Sequence, residues 1–291
     1  AVGDASLSCS GGKAAGRKYY WPMQKGNANR TGLSPHIVPR DLARPPSWRW
    51  VDPDLDVIRA TPLIDDELNI YQATINGRIL KFSPNGEILW SFQSPHGVQP
   101  TVPAIMDGVL YGNGESGKVF ALDMATGQER WSTVVGHAGT ATDTAGIFAA
   151  FNVIVSATKV AKKAEVNEAI VALNVDGSHR WTYMMRRGFH VYNFQGASPG
   201  DGTLVFMDSS GGLYKVSLET GKLIWESGIQ ERETSWQTTG AAVIGPNGLV
   251  YCASNWGQHG MIHAYKLSTG ESVWRKNVTL LAMQGVAIGK L

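Results

Sequence analysis

The feature that most constrains the fold is a glycine followed four residues later by a tryptophan, which occurs five times in this chain of 291 residues. In each copy the pair comes after an apolar run and a turn, as in GKVFALDMATGQERW (117–131). Chance does not preserve one spacing so often, so we interpret the copies as internal repeats. The pairs are Gly86 and Trp90, Gly127 and Trp131, Gly177 and Trp181, Gly221 and Trp225, and Gly270 and Trp274.

Each copy has the pattern of a β-hairpin. Alternating apolar residues such as Val119 and Ala121 predict a half-buried strand. The glycine suits a turn position with positive φ, where a β-carbon is strained. The tryptophan follows on the returning strand, where side chains alternate between two faces, so its ring points to one face. There it can cover the gap to a neighbouring sheet, which gives the spacing a packing role.

Two more strands precede each hairpin. In the second copy they are TVPAIM (101–106), with small residues that suit a crowded innermost strand, and GVLYGN (108–113). In the fourth copy QGASPG (195–200) has the innermost position. The unit recurs at the period of propeller blades, since 41 residues separate Trp90 from Trp131. The sequence therefore predicts an all-β propeller with five full four-stranded blades and parts of further blades.

Segments near the two ends predict the partial blades. PPSWRWV (45–51) has the character of an outermost strand, and MQGVAIGKL (283–291) has that of an innermost strand. Two explanations stay open: the chain is incomplete at its C-terminus and the native ring has about seven or eight blades, or another chain completes the open edge. Residues 1–20 are predicted to be a flexible tail, and 21–291 the propeller.

The repeat resembles that of the PQQ-like (quinoprotein dehydrogenase-like) propellers. The segments ALDMATGQERW, KVSLETGKLIW and AYKLSTGESVW carry the resemblance, and WPMQKGNANRTGLSP (21–35) is similar to the lead-in to the first blade. The resemblance implies a propeller over roughly residues 20–291. The family includes PQQ-dependent alcohol and sugar dehydrogenases and cofactor-free scaffolds of the barrel-assembly machinery, so the fold alone does not give the function.

Cysteine content bears on the choice between these functions. The dehydrogenases of this fold hold their quinone between a tryptophan and a disulfide of adjacent cysteines, next to a calcium or lanthanide ion. Here Cys9 and Cys252 are far apart, and no acidic cluster lies near the predicted inner strands. We therefore predict a non-catalytic scaffold that binds other proteins, with no cofactor, metal or catalytic residue. The alternatives are a PQQ-dependent alcohol or sugar dehydrogenase and a propeller that binds a small ligand in its central channel.

Charge and hydropathy narrow the location and the partners. The net charge of +2 does not indicate nucleic-acid binding, and no apolar run is long enough for a transmembrane helix. The small, polar first residues are similar to the end left after removal of a signal or transit peptide, so we expect an extracytoplasmic protein. Two sites, Asn29 and Asn277, fit the N-glycosylation pattern. Cys9 and Cys252 could form a disulfide or remain two thiols.

Three segments depart from the repeat, and loops are where binding residues concentrate. The histidines of ASNWGQHGMIH (253–263) are predicted to lie in a loop and to bind no metal. Each of the other two segments is either a structural connection or a docking site. TKVAKKAEVNE (158–168) contains Lys159, Lys162 and Lys163, and MMRRGFHVYNF (184–194) contains Arg186, Arg187 and His190.

Overall fold

Five antiparallel β-sheets make up the regular structure of the protein in a computed structural model. It describes residues 18–34, 43, 45–97, 101–139, 145–160, 168–186, 188–191, 193–228, 236–237, 241–256, 259–279 and 285–289. Every regular element in these ranges is a strand. None of them contains a helix with the length and hydropathy needed to cross a membrane.

The sheets follow one another along the chain, and each pairs its strands in sequence order. Blade 1 consists of β1 (Leu63–Ile64), β2 (Ile70–Ala73), β3 (Arg78–Phe82) and β4 (Ile88–Gln93). Blade 2 consists of β5 (Ala104–Met106), β6 (Val109–Gly114), β7 (Lys118–Asp123) and β8 (Glu129–Val134). Blade 3 consists of β10 (Phe148–Ala150), β11 (Val153–Lys159), β12 (Glu168–Leu173) and β13 (His179–Met184), with β9 (Ala138–Gly139) also on β11.

The last two blades differ slightly from this pattern. Blade 4 has β14 (Thr203–Met207), β15 (Leu213–Ser217) and β16 (Leu223–Ser227). Blade 5 has β18 (Val243–Ile244), β19 (Leu249–Trp256), β20 (His259–Lys266) and β21 (Ser272–Val278), and β17 (Trp236–Gln237) pairs with β19 as well. The predicted all-β propeller architecture of repeated blades is confirmed.

The innermost strand predicted for blade 4 at 195–200 is wrong. Only Ala197 pairs with β14, through two backbone hydrogen bonds with Val205 of 2.9 and 2.7 Å. The next bonded position would fall on Pro199, which has no backbone N–H to donate. The position is therefore occupied by a single bridge, and the sheet of blade 4 has three strands.

The end segments also form no strands. Residues 45–51 are irregular, and so are 285–289, the described part of 283–291. A strand requires a neighbouring strand for its ladder, and among the described residues neither segment has one. The predicted strands of the partial blades are therefore wrong, although the contacts of both segments, given below, are those expected of blade strands.

The hydrophobic core lies between neighbouring blades. One cluster joins blades 1 and 2 and includes Leu63 and Phe120, neither of which is exposed. A second joins blades 2, 3 and 4, and a third joins blade 4 to blade 5 through residues such as Val205 and Val250. A sheet needs another layer to bury its apolar face, so each blade depends on the blade beside it.

A β-bulge in every hairpin explains the spacing between glycine and tryptophan. In blade 2, Glu129 pairs with Leu122 and Trp131 pairs with Ala121, so Arg130 is an extra residue on the outer strand. The same register shift occurs in the other four blades. Since one extra residue reverses the side-chain alternation, the bulge turns the tryptophan ring toward the next blade.

Five tryptophan rings each lie on the hairpin glycine of the blade that follows them in the chain. A β-carbon on Gly127, which has φ 74°, would lie 2.7 Å from Cδ2 of Trp90. Such a contact is too short to exist, so glycine is required there. The covering pairs are Trp48 on Gly86, Trp90 on Gly127, Trp131 on Gly177, Trp181 on Gly221 and Trp225 on Gly270.

The same tryptophans donate their indole N–H to a backbone carbonyl of the hairpin that they cover. The donor–acceptor distances lie between 2.7 and 3.1 Å. Burying an indole N–H without an acceptor costs free energy. The hydrogen bond and the buried area of the ring therefore both hold the ring in this position. The acceptors of Trp48, Trp90, Trp131, Trp181 and Trp225 are the carbonyls of Pro84, Met124, Val175, Leu218 and Leu267.

Alanine substitution of two glycines in blade 2 tests the ring contact. Gly108 has φ 79° but no atom within 4 Å of an added β-carbon, so Gly108→Ala adds only backbone strain. Gly127→Ala adds the same strain and a clash with Trp90. We expect losses in the free energy of unfolding of about 1 kcal/mol for Gly108→Ala and about 2–4 kcal/mol for Gly127→Ala, measured by urea unfolding. Equal losses would show that the ring contact is unimportant.

Candidate functional site

The outer face of blade 5 is the one place where the described residues leave the repeated contact incomplete. Trp274 is 41% exposed, whereas Trp181 at the matching position of blade 3 is 5% exposed and the matching tryptophans of blades 1, 2 and 4 are half-buried. No hairpin glycine among the described residues lies under the Trp274 ring, and no carbonyl in that part of the chain accepts its indole N–H. The outer side of blade 5 therefore exposes more of its tryptophan ring than the covered blades do.

A tyrosine packs beside Trp274 with its ring tilted, as in blades 1 and 2. The rings of Tyr251 and Trp274 lie 6.0 Å apart, compared with 5.8 Å for Tyr71 and Trp90 in blade 1. Tyr71 is completely buried by blade 2, but Tyr251 is only half-buried. Blade 5 thus has the aromatic pair of a blade interface, and among the described residues no further sheet lies against it.

A cavity of about 390 Å³ adjoins this aromatic pair. Its walls are Pro246, Asn247 and Tyr251 on one side and residues 286–289 on the other. Asn247 donates a hydrogen bond of 2.8 Å from Nδ2 to the Tyr251 hydroxyl. We call Trp274, Tyr251, Asn247 and residues 286–289 together the blade 5 face.

Residues 21–31, called the central segment here, hold the innermost strands in place. Trp21 exchanges two backbone hydrogen bonds with Ile64 of blade 1, and the carbonyl of Pro22 accepts one from Ile105 of blade 2. Further along, the carbonyls of residues 28, 29 and 31 accept amide protons from the innermost positions that follow. The donors are Ser198 at 2.8 Å, Ile244 at 2.9 Å and Ile288 at 3.0 Å. Residues 285–289 therefore lie where an innermost strand would lie.

Two cations sit in the central segment. Arg30 is 2% exposed, its Nη2 bonds the amide oxygens of Gln24 and Gln195, and its Nε has no partner among the described groups. Lys25 donates from Nζ to the carbonyl of Val286 at 2.7 Å. Burial and then the charge of Arg30 lower the pKa of Lys25 to about 8. No carboxylate in the described ranges forms an ion pair with either side chain.

The basic residues predicted to bind partners are spread out, and carboxylates pair with two of them. Arg186 contacts Glu226 at 2.5 Å, and the ring of His190 lies 3.3 Å from Glu168. Glu168 is 3% exposed and also accepts the backbone N–H of Val191 at 2.6 Å. These contacts connect the segment after β13 to blades 3 and 4. Arg187 lies outside the described residues.

The lysine segment gives less information. Lys159 ends β11 and pairs in register with Glu168 of β12 and with Ala138 of β9. It is half-buried, whereas Lys162 and Lys163 lie outside the described residues. The structure does not bring Lys159 together with Arg186 in one patch that any described contact defines.

The glycosylation patterns and the cysteines fall in different surroundings. Asn277 is exposed on β21, and Asn29 is half-buried in the central segment, where its carbonyl accepts from Ile244. Cys252 is buried between blades 4 and 5. Cys9 lies outside the described residues, so a pairing between the two cysteines stays a prediction.

The loop predicted at 253–263 is wrong, because β19 and β20 extend through most of it. His259 is exposed near the turn, and His263 is 3% exposed with its Nε2 2.9 Å from the Ser254 hydroxyl. Burial, with a smaller effect of Arg275, lowers the pKa of His263 to about 4. Residues four apart on a strand are separated by about 13 Å, so the two histidines do not face one ion. No group of metal-binding side chains forms in the part of the chain that the structure describes.

The depressed pKa of Lys25 predicts a pH dependence of stability. Its pKa is about 8 in the folded protein and 10.5 in the unfolded chain, so the unfolded chain binds more protons between these values. The free energy of unfolding should therefore rise as the pH increases from about 8 to 10.5. Lys25→Met should remove this part of the slope in urea unfolding. The control Lys222→Met removes an exposed lysine and should keep it; an unchanged slope in Lys25→Met would contradict the prediction.

Comparison with solved structures finds the same fold in proteins of low identity. A quinohemoprotein alcohol dehydrogenase from Pseudomonas putida HK5 is 14% identical with a TM-score of 0.72. The match covers 89% of this chain and 48% of the dehydrogenase chain. A europium-containing methanol dehydrogenase is 13% identical with a TM-score of 0.70 and coverages of 89% and 58%. BamB from Moraxella catarrhalis is 18% identical with a TM-score of 0.56 and coverages of 78% and 66%. The chain thus spans about half to two thirds of the length of these proteins.

Sequence comparison gives the family. No curated protein sequence matches the chain. The family model PQQ_2, described as outer membrane protein assembly factor BamB, matches residues 75–290, which include the hairpins of all five blades. The chain therefore belongs to the PQQ_2 family of β-propeller proteins.

Proposed function

We propose that this protein is a non-catalytic β-propeller scaffold that binds other proteins outside the cytoplasm through the blade 5 face. The observation that carries the proposal is Trp274, which is exposed at a position where the ring of each preceding blade lies on the hairpin glycine of its neighbour. Exposed aromatic residues next to an apolar cavity are typical of protein-binding surfaces. The name of the matched family, an assembly factor, supports the same function and the extracytoplasmic location.

The chemistry of the blade 5 face indicates what kind of contact it makes. Tyr251 and Trp274 offer apolar area, and the Trp274 indole offers one hydrogen-bond donor. The basic side chains Arg186 and His190, by contrast, are already next to carboxylates. We therefore propose that partners are recognised by shape and apolar contact, with little contribution from charge.

The oxidoreductase alternative requires a calcium ion and a quinone in the central part of the fold. Calcium is bound by oxygen ligands, among them carboxylates, whereas the central segment places Lys25 and Arg30 there. Cys252 packs in the cluster between blades 4 and 5. The described residues do not fit the site that the family resemblance implies. Dye-linked oxidation of alcohols or sugars after addition of PQQ and calcium should be absent, and sustained turnover would overturn the proposal.

The small-ligand alternative uses the central channel. In this structure the central segment runs past the innermost strands and its carbonyls are engaged by Ile64, Ile105, Ser198, Ile244 and Ile288. A ligand would have to displace these bonds. The blade 5 face needs no such rearrangement, so it supports the binding of proteins better.

Two tryptophan substitutions separate the ring that is covered from the ring that is exposed. Trp225 covers Gly270 and bonds the carbonyl of Leu267, so Trp225→Ala should lower the free energy of unfolding by about 2–4 kcal/mol. Trp274→Ala removes a side chain that no blade covers and should cost less than about 1 kcal/mol. Urea unfolding of the two variants measures the difference, and similar losses would mean that Trp274 is buried in solution.

Site-specific cross-linking tests whether the blade 5 face binds a protein. A photoreactive amino acid replaces Trp274 in the cells that produce the protein, and the cross-linked peptides are identified by mass spectrometry. The matched control carries it at Val134, which is 66% exposed on the outer strand of the covered blade 2. We expect a defined partner peptide from position 274 only. Equal products from the two positions, or none from position 274, would contradict the proposed function.

A further inference from the structure

The central segment contains a closed loop that carries two cationic side chains. The amide of Gly32 donates to the carbonyl of Lys25 at 3.1 Å, which joins the two ends of the loop. Within it, the amide of Arg30 donates to the carbonyl of Asn27 at 2.9 Å. The loop is therefore held by its own hydrogen bonds, which fix the backbone positions of Lys25 and Arg30. We call residues 25–32 the cationic loop.

The side chain of Arg30 is buried with one donor unsatisfied. Its backbone φ of 61° lies in the left-handed region, where residues other than glycine are uncommon and strained. The side chain is 2% exposed, and Nη2 bonds the amide oxygens of Gln24 and Gln195. Nε has no hydrogen-bond partner among the described groups. Because a buried donor without an acceptor costs free energy, this N–H marks a place where an acceptor would stabilise the fold.

The positive charge of Arg30 is not neutralised by the residues that the structure describes. The two glutamine oxygens accept hydrogen bonds but carry no charge, and no carboxylate in the described ranges pairs with the guanidinium. Burial lowers the pKa of Arg30 to about 9, so the side chain is still charged at neutral pH. A buried charge without a counter-charge is strongly unfavourable, so the site favours an anion.

Lys25 adds a second positive charge to the same loop. Its Nζ donates one proton to the carbonyl of Val286 at 2.7 Å, and an ammonium group has two more protons to donate. Burial, and after it the charge of Arg30, lowers the pKa of Lys25 to about 8, so the two cations are close enough to repel each other. An anion that contacts both side chains would replace this repulsion by attraction.

Close packing around the two cations limits the size of such an anion. A β-carbon on Gly146 would lie 3.1 Å from Oε1 of Gln24, and one on Gly285 would lie 3.0 Å from Nζ of Lys25. Both distances are shorter than most contacts of a β-carbon, so the backbone of two innermost segments approaches these side chains closely. A single-atom anion fits such surroundings better than a tetrahedral phosphate or an organic carboxylate.

We infer that the cationic loop binds a monatomic inorganic anion such as chloride between Nε of Arg30 and Nζ of Lys25. The anion accepts the hydrogen bond that Nε lacks and offsets the charge of both side chains. It contacts side chains only, so the backbone hydrogen bonds between the central segment and the blades stay intact. The anion thus stabilises the loop that holds the innermost strands. This site goes beyond the proposed function and does not depend on it.

Exchange of the anion at constant ionic strength tests the inference on the 291-residue chain. The buffer salt is changed stepwise from sodium gluconate, whose anion is too large for the site, to sodium chloride. We expect the Tm to rise by about 3 °C or more and then to level off, because a ligand that binds only the folded state stabilises it as its site fills. An identical Tm in the two salts would overturn the inference.

Three substitutions assign the chloride effect to the loop. Arg30→Met removes the unsatisfied donor and should abolish the rise in Tm. Lys25→Met removes one of the two cations and should reduce the rise to about half or less. The control Lys222→Met removes an exposed lysine of blade 4 and should leave the rise unchanged. A rise of the same size in the Arg30 and Lys25 variants would contradict the site.

Crystallography with bromide tests the site without any substitution, so it remains decisive if Arg30→Met does not fold. Crystals of the unaltered chain in sodium bromide should show an anomalous peak within hydrogen-bonding distance of Nε of Arg30. Peaks confined to exposed residues would indicate adventitious ions only and would overturn the inference. Neither result bears on the partner of Trp274, so this site and the proposed function can fail separately.

Discussion

The structure depends on one repeated contact, a tryptophan ring lying on the glycine of the next hairpin while its N–H bonds a carbonyl of that hairpin. The contact combines a buried aromatic area with a satisfied polar group, so it fixes both the distance and the orientation of successive blades. Neither partner can change alone, because any β-carbon at Gly127 would lie within 3 Å of the Trp90 ring. The glycine and the tryptophan that face each other belong to different hairpins, for instance Trp90 and Gly127.

The central segment holds the innermost strands of successive blades in place, as the tryptophans hold the outer hairpins. Its carbonyls accept amide protons from successive blades, as Pro22 does from Ile105 and Asn29 does from Ile244. Innermost strands in this chain are short, and blade 4 contributes a single bridge at Ala197. Such edges leave backbone groups that need partners, and the central segment supplies them. The cost is the burial of Arg30, whose Nε has no bond among the described groups.

Because the blades repeat, the covered interfaces between blades can be compared directly with the outer face of blade 5. Tyr251 and Trp274 have the ring separation of Tyr71 and Trp90 but are more exposed, and this difference in exposure is the basis of the proposed function. The matched structures, BamB at 18% identity and the alcohol dehydrogenase at 14%, show the fold of this chain. Because their identity is low, the function has to be inferred from the chemistry of this chain.

The sequence by itself determined the blade, because strand alternation, glycine turns and the position of Trp131 after Gly127 are local properties of the chain. It did not predict the bulge at Arg130, nor that Pro199 would limit blade 4 to one bridge. Only the tertiary structure decided that Arg186 meets Glu226, 40 residues away, and that Trp274 is left exposed while Trp225 is covered. Those outcomes depend on which blades lie side by side, and contacts between distant residues leave no periodic signal in a single sequence.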